Sequence, residues 1–150
     1  MSHTSTNLLV HLIFSTKARA PLITSAIESD LHAYLGGIIR EIGGVALSIN
    51  GPSDHVHLLV RLPANESVAE VARLIKTNSS RWIHGRWPEH REFAWQTGYG
   101  AFSVSESSIS DVMRYIGNQR EHHKKRSYQD EFLAFLRKNG ISIDERYLWE

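Results

Sequence analysis

From Asn7 to Thr16 the chain reads NLLVHLIFST, an apolar run containing Val, Ile and Phe that is closed by Lys17 to Pro21. Such a run bounded by Pro predicts a strand. Its alternation puts Leu8, Val10, Leu12 and Phe14 on one face and Leu9, His11 and Ile13 on the other. The period then changes. Ile27, Leu31, Tyr34, Leu35, Ile38 and Ile42 recur at three- and four-residue steps, which predicts a helix from about Ile23 to Ile42, stopped by Gly43-Gly44. Val45 to Ile49 is a short strand, Asn50-Gly51-Pro52-Ser53 carries tight-turn chemistry, and Asp54 to Leu62 is a second strand. Residues 66 to 84 are helical again, with Val68, Val71, Ala72, Leu74, Ile75 and Trp82 on the apolar side. An irregular stretch rich in Trp and charge follows, then a last strand from Tyr99 to Val104. Ser107 or Ser108 is the expected cap of a helix running to about Lys124, and a shorter helix spans about Tyr128 to Lys138.

The order strand, helix, strand, strand, helix, strand places a hairpin between two helical crossovers. It predicts an α+β fold, a ferredoxin-like split βαβ antiparallel sheet with the first and third strands central. Two helices would cover one face, leaving the other for a site or for an additional C-terminal helix carrying Tyr115. No repeat or low-complexity segment interrupts the pattern. We expect a single domain over residues 1–150, with a core at about 7–124 and a C-terminal helix and tail at 125–150.

Composition narrows the chemistry. A chain of 150 residues can bury one core, and 41% hydrophobic and 22% charged residues are near the globular average. The absence of Cys excludes disulfides, thiolate metal sites and cysteine nucleophiles. No apolar run approaches the roughly 20 residues of a membrane span, and the start lacks the features of a secretory signal, so a cytoplasmic protein without a membrane partner is expected. The net charge is +1, but the cations are segregated. Arg73, Lys76, Arg81 and Arg86 form one group, and Arg114, Arg120, Lys124, Lys125 and Arg126 another. That distribution allows a basic face for nucleic acid; it equally describes two solvated helix faces.

The sharpest local feature is Asp54-His55-Val56-His57. With Val56, Leu58 and Val60 turned to the core, His55 and His57 share the open face, where two imidazoles can converge on one divalent ion. Nine histidines in the chain make a chance pair common, so the motif is weak alone. On the late helix, Tyr115 and Gln119 stand four residues apart and hence on one face. Tyrosine can act as a covalent nucleophile, and an amide oxygen suits a hard cation. Gly117 lies between them, at a cost of about 1 kcal/mol in a helix interior.

Taken together these residues resemble the HUH single-tyrosine transposases, the small insertion-sequence enzymes acting on single-stranded DNA, with their REP-associated relatives. The resemblance covers HLIFSTKARAPLI, GPSDHVHLLV, KTNSSRWIH, FAWQTGYGAFSVS and YIGNQREHHKK, five stretches in the family's order. It implies that His55, His57 and Gln119 bind Mg²⁺ or Mn²⁺ and that Tyr115 attacks the scissile phosphate, leaving a 5′-phosphotyrosine and a free 3′-hydroxyl. It also implies a DNA hairpin as partner and no nucleotide cofactor. A homodimer is expected, with the tyrosine helix completing the partner's site, although a monomer is the precedent among REP-associated relatives. His11, on the same open face, is a candidate supporting group for the metal ligands. Arg73, Lys76 and Arg81, then Lys124, Lys125 and Arg126, are the candidate DNA contacts. Trp82, Trp87 and Trp95 fit the core better than base stacking, and His122 and His123 read as solvated or phosphate-contacting. Two other readings stay open at this point: a non-catalytic single-strand-binding module on the same fold, and a metal-dependent phosphoesterase that uses water.

Overall fold

The computed structural model describes residues 3–123, 125–144 and 148–149, with Arg120 and His122 described in their backbone only. Lys124 therefore lies outside the described residues. The strands are β1 (Leu8–Ser15), β2 (Val45–Asn50), β3 (His55–Leu62) and β4 (Gly100–Ser103), joined in one antiparallel sheet in the order β2-β3-β1-β4. As the pattern predicts, β1 and β3 are central. Helices α1 (Ser25–Glu41) and α2 (Val68–Arg86) cover one face. There Leu12, Phe14, Val56, Leu58 and Val60 meet Leu31, Leu35, Ile39, Val71 and Ile75 in the main core.

Local chemistry explains the boundaries. Gly43 follows α1 with φ 90, a left-handed conformation that glycine adopts without a Cβ penalty. The Ser67 side chain accepts from Glu70 N–H and caps α2. In the β2–β3 turn, a Cβ on Gly51 would stand 2.3 Å from the carbonyl oxygen of His55. The turn can thus lie flat against the start of β3 only because residue 51 has no side chain.

The opposite face is covered as well. Ile13 and Phe102 pack against Tyr128, Phe132 and Leu136 of a helix, α5 (Tyr128–Lys138), so the face that the sequence leaves open for a site also carries a second, smaller core. The tyrosine helix differs from the expectation. A single turn of 3₁₀ helix at Glu106–Ser108 leads into α3 (Ile109–Gly117), the chain breaks at Asn118, and α4 (Gln119–His123) follows. Ser108 is the N-cap residue of α3, as expected, but its side chain makes no capping bond; the hydroxyls of Ser107 and Ser108 bond instead to that of Ser105. The break has a cause. Gly117 favours the helix weakly, and Asn50 Nδ2 on β2 donates to the carbonyls of Ile116 (3.0 Å) and Gly117 (3.3 Å), supplying partners for a helix end. With Ile116 fully buried, this pins α3 to the edge of the sheet. A Cβ on Gly117 would meet nothing within 4 Å. Gly117→Ala is therefore expected to raise stability by about 1 kcal/mol, read as a higher midpoint in urea unfolding; a lower midpoint would mean that the break itself needs glycine.

Candidate metal centre and tyrosine site

Strand periodicity brings His55 and His57 to the face covered by α5, and both are fully buried. Their outward nitrogens meet the carboxylate of Glu131, which projects from α5. His57 Nε2 lies 2.8 Å from Glu131 Oε1, His55 Nε2 3.2 Å and His123 Nε2 3.3 Å from that same oxygen. The other carboxylate oxygen, Oε2, accepts from the Tyr115 hydroxyl. Behind the ligand nitrogens stands a supporting layer. His55 Nδ1 is 2.7 Å from Asp54 Oδ1, and His57 Nδ1 is 2.8 Å from His11 Nε2. Metal-bound imidazoles are oriented by hydrogen bonds of this kind at the second ring nitrogen. His11 reaches His57 because Ile13 is the residue paired with His57 across the β1–β3 ladder, which makes His11 its diagonal neighbour.

Ligand atoms of His55, His57, His123 and Glu131 all lie within 4.8 Å of one another, so this group could hold a divalent cation. His55 Nε2 is buried with no hydrogen-bond partner among the described residues: Glu131 is near but out of line for a bond. A buried nitrogen left without a partner is costly, and a cation would supply one. Imidazole and carboxylate donors also suit such an ion.

The electrostatics follow from burial and from one carboxylate. Burial pushes the His57 pKa down to about 4, against the opposing pull of Glu131, so His57 is a neutral donor at pH 7. Burial, reinforced by His57, brings His11 down to about 3. For His55, burial also acts downward, but the Asp54 and Glu131 carboxylates outweigh it and the net shift is upward. Glu131 is held well below the usual carboxylate range because the surrounding histidines overcome the cost of its burial. Burial and the Glu131 carboxylate both raise the Tyr115 phenol above its ordinary value, so it stays protonated and donates to Glu131.

A depressed histidine pKa makes the metal-free protein acid-sensitive. Below the ordinary value of 6.5 the unfolded chain takes up protons that folded His57 and His11 refuse. Their stabilisation is complete above 6.5 and is lost as pH falls towards about 4 for His57 and about 3 for His11. His55 works in the opposite sense, contributing below 6.5 and losing its share as pH rises through its elevated value. Urea unfolding in chelator should show stability falling by about 1 kcal/mol per pH unit for each of the two depressed groups, with a shallower slope in His11→Phe. Equal slopes in variant and wild type would refute the assignment for His11.

The other anticipated residues are distributed as follows. Tyr115 and Gln119 remain near each other across the helix break. Gln119 is fully buried; its Nε2 donates to the Tyr115 carbonyl (3.3 Å), and its Oε1 is 3.1 Å from His123 Nε2. Gln119 thus reaches the four-residue group through His123. His123, expected to be solvated or phosphate-contacting, is drawn into the group with a side chain 12% exposed, because the break at Asn118 redirects α4 towards β3; the side chain of His122 is outside the described residues. Lys125 and Arg126 line a groove with Tyr115. The α2 cations stand on the far face of the sheet. Arg73 is paired with Glu70 at 2.6 Å, Lys76 donates to the Gly98 carbonyl at 2.9 Å, and Arg81 is exposed. Trp82, Trp87 and Trp95 pack against the main core.

Glu131 escaped the sequence reading, although it left a trace. It falls between Tyr128 and Phe135 at three- and four-residue steps, beside Phe132, and so puts a carboxylate on the apolar face of α5. A charge there, 1% exposed, is a candidate for function because acidic side chains are rarely buried without partners.

The four-stranded antiparallel sheet with its helices is a fold shared with solved transposases. The fold superposes on a structure described as a putative transposase from Deinococcus radiodurans with a TM-score of 0.63, 23% identity, 79% of this chain and 95% of that one. A REP-associated tyrosine transposase, solved bound to a REP hairpin, gives 0.61 at 14% identity, covering 82% of this chain and 74% of the other. Among curated proteins, the ISDra2 transposase TnpA of Deinococcus radiodurans is 24% identical over 116 residues, 74% of this chain and 83% of its own length. The transposase for insertion sequence element IS200 of Salmonella typhimurium is 25% identical over 134 residues, 83% of this chain and 84% of that protein. Residues 4–119 match the family described as "Transposase IS200 like", and the chain belongs to that family. It is a DNA-processing transposase. The match ends at Gln119, so His123 and Glu131 lie beyond it. Among the described residues no helix is long and apolar enough to cross a membrane.

Proposed function

We propose that the protein cleaves and rejoins single-stranded DNA at hairpin-bearing element ends through a 5′-phosphotyrosine intermediate. The observation that carries this reading is the double use of Glu131, one oxygen facing the histidine pair and the other holding the Tyr115 hydroxyl. Nucleophile and cation-binding group are thereby joined by one side chain. In the proposed step Tyr115 Oη bonds to phosphorus as its proton passes to Glu131 Oε2, and the bond from phosphorus to the 3′-oxygen breaks. The 3′-oxygen leaves as a hydroxyl after taking a proton from solvent. The tyrosyl phosphodiester keeps the energy of the broken bond, so attack by a 3′-hydroxyl reverses the step without a nucleotide cofactor.

His55, His57 and Glu131 would hold Mg²⁺ or Mn²⁺, with Gln119 brought in through His123. Bound there, the ion would polarise the phosphate and neutralise charge that develops on it during attack. Lys125 and Arg126, with Lys124 next in sequence, are assigned to the DNA backbone beside Tyr115. Arg81 is the next candidate, since Arg73 and Lys76 already have protein partners. The hairpin-bound relative supports a hairpin partner here.

The test is incubation of wild-type protein and Mn²⁺ with labelled single-stranded oligonucleotides from the DNA flanking its gene. A denaturing gel should show a protein–DNA adduct that chelator abolishes and that peptide mass spectrometry places on Tyr115. Cleavage without an adduct would favour water as the nucleophile, and binding without cleavage the non-catalytic module. Tyr115 stands beside His57 of its own chain, with 5.8 Å between ring centroids, which supports a site assembled within one chain. Mixing Tyr115→Phe with His57→Ala protein should yield no adduct, whereas recovered adduct would mean that the tyrosine acts on the partner's site.

A further inference from the structure

At the end of β1, on the side of the metal group away from Tyr115, lies a cavity of about 280 Å³ lined by Ser15, Lys17, Arg19, Trp95, Gln96 and Trp149 among others. We propose that it receives one unstacked nucleobase of the DNA strand crossing the metal group, with the adjoining phosphate on Lys17 and Arg19. The proposal rests on the single-strand reading above and assigns a base-binding subsite to it.

Four observations support it. The cavity adjoins the chemistry: Ser15 is paired with His55 across the sheet, and Gln96 Oε1 accepts from the hydroxyl of Tyr128, whose ring centroid is 4.7 Å from that of His55. Its lining combines cations with aromatic rings and, among the described residues, contains no acidic one, the chemistry that single-stranded nucleic acid selects. The turn that carries the cations is strained, since Ala18 (φ 56) and Arg19 (φ 57) are consecutive non-glycine residues in the left-handed region. Such outliers cluster at ligand clamps. Finally, a flat group already occupies the stacking position: the Arg19 guanidinium lies 5.5 Å from the ring centroid of Trp149, which is itself packed near Tyr128 and Phe132. A base entering the cavity takes that place on Trp149 and releases Arg19 to the phosphate.

The polar group in the wall meets the base edge. Gln96 Oε1 is already engaged by the Ser15 N–H (2.5 Å) and the Tyr128 hydroxyl (3.0 Å), while its Nε2 has no hydrogen-bond partner among the described residues. An amide N–H donor meets an acceptor on that edge, a keto oxygen of thymine, guanine or cytosine or a ring nitrogen of adenine. A side chain that presents only acceptors there would demand a donor from the base instead.

The experiment uses fluorescein-labelled hairpin oligonucleotides with single-stranded tails taken from the flanking DNA. Each tail base is replaced in turn by an abasic site and then by each of the four bases. Affinity and Mn²⁺-dependent adduct are read in the same samples. In wild type, one tail position should lose about 10-fold in affinity when abasic. Trp149→Ala should bind the intact tail as weakly as wild type binds the abasic one and show no further abasic effect at that position. Gln96→Glu keeps both acceptor contacts but presents carboxylate oxygens, so its preference should turn towards bases with an exocyclic amino group, adenine included. That change of preference is not produced by a purely structural role for Gln96. Adduct formation with no base-sensitive position, or a sensitivity unchanged in both variants, would overturn the pocket alone. Neither binding nor adduct in wild type would overturn the single-strand reading and the pocket with it.

Discussion

Tyr115→Phe is expected to abolish the protein–DNA adduct and to lower cleavage on the order of 10⁴-fold or more, as loss of a covalent nucleophile does. The variant keeps the aromatic packing. The Tyr115 ring stands edge-on to Phe135 at 5.6 Å and to His57 at 5.8 Å between centroids, and a phenylalanine ring fills the same space. What disappears is the hydroxyl and its bond to Glu131. Unfolding free energy should change by only about 1 kcal/mol, the net worth of one hydrogen bond, and metal binding should persist because His55, His57, His123 and Glu131 all remain. Mn²⁺ titration by calorimetry, urea unfolding and a denaturing gel on one preparation would separate these effects. Cleavage at the wild-type rate in Tyr115→Phe would end the tyrosine mechanism.

The second large effect is expected at Glu131. Glu131→Ala removes the carboxylate that faces three imidazoles and the tyrosine, so Mn²⁺ affinity should fall about 100-fold and adduct formation should become undetectable. The metal-free protein should also lose about 2 kcal/mol, since His57 and Tyr115 would be left with buried groups lacking their partner. Gln119→Ala is the informative comparison. Among the described residues Gln119 reaches the group through His123, and its replacement should weaken Mn²⁺ binding less than Glu131→Ala does. The reverse order would make Gln119 the third protein ligand and Glu131 a supporting residue. Glu131→Gln separates charge from shape: it retains the size of the side chain, so a full loss of affinity there would assign the effect to charge.

The two results probe different layers of the site, and those layers were unequally legible. His55 and His57 could be placed from alternation alone, because Val56, Leu58 and Val60 had to face the core and a strand has a period of two. The position of His11 beside His57 follows from the same argument once β1 and β3 are neighbours. Tyr115 and Gln119 were recognisable as a four-residue pair, but their helix was read as continuous. A contact from Asn50, distant in sequence, helped end it at Gly117, and local propensity contains no term for such a partner. His123 was misjudged for the same reason, since its direction depends on that break.

Glu131 marks the clearest boundary between the two kinds of information. Periodicity showed that residues 128 to 138 form an amphipathic helix, yet it could not say which surface the apolar face would cover. Once α5 docks on Ile13 and Phe102, the carboxylate among its apolar residues is brought against His55, His57, His123 and Tyr115. The sheet, its two central strands and the histidine pair follow from short-range periodicity and turn chemistry, because hydrophobic burial enforces a period over a few residues. The ligand set and the pairing of nucleophile with carboxylate arise from contacts between residues up to 76 positions apart, such as His55 with Glu131. Those contacts exist only after burial of separate apolar faces has chosen which elements pack together.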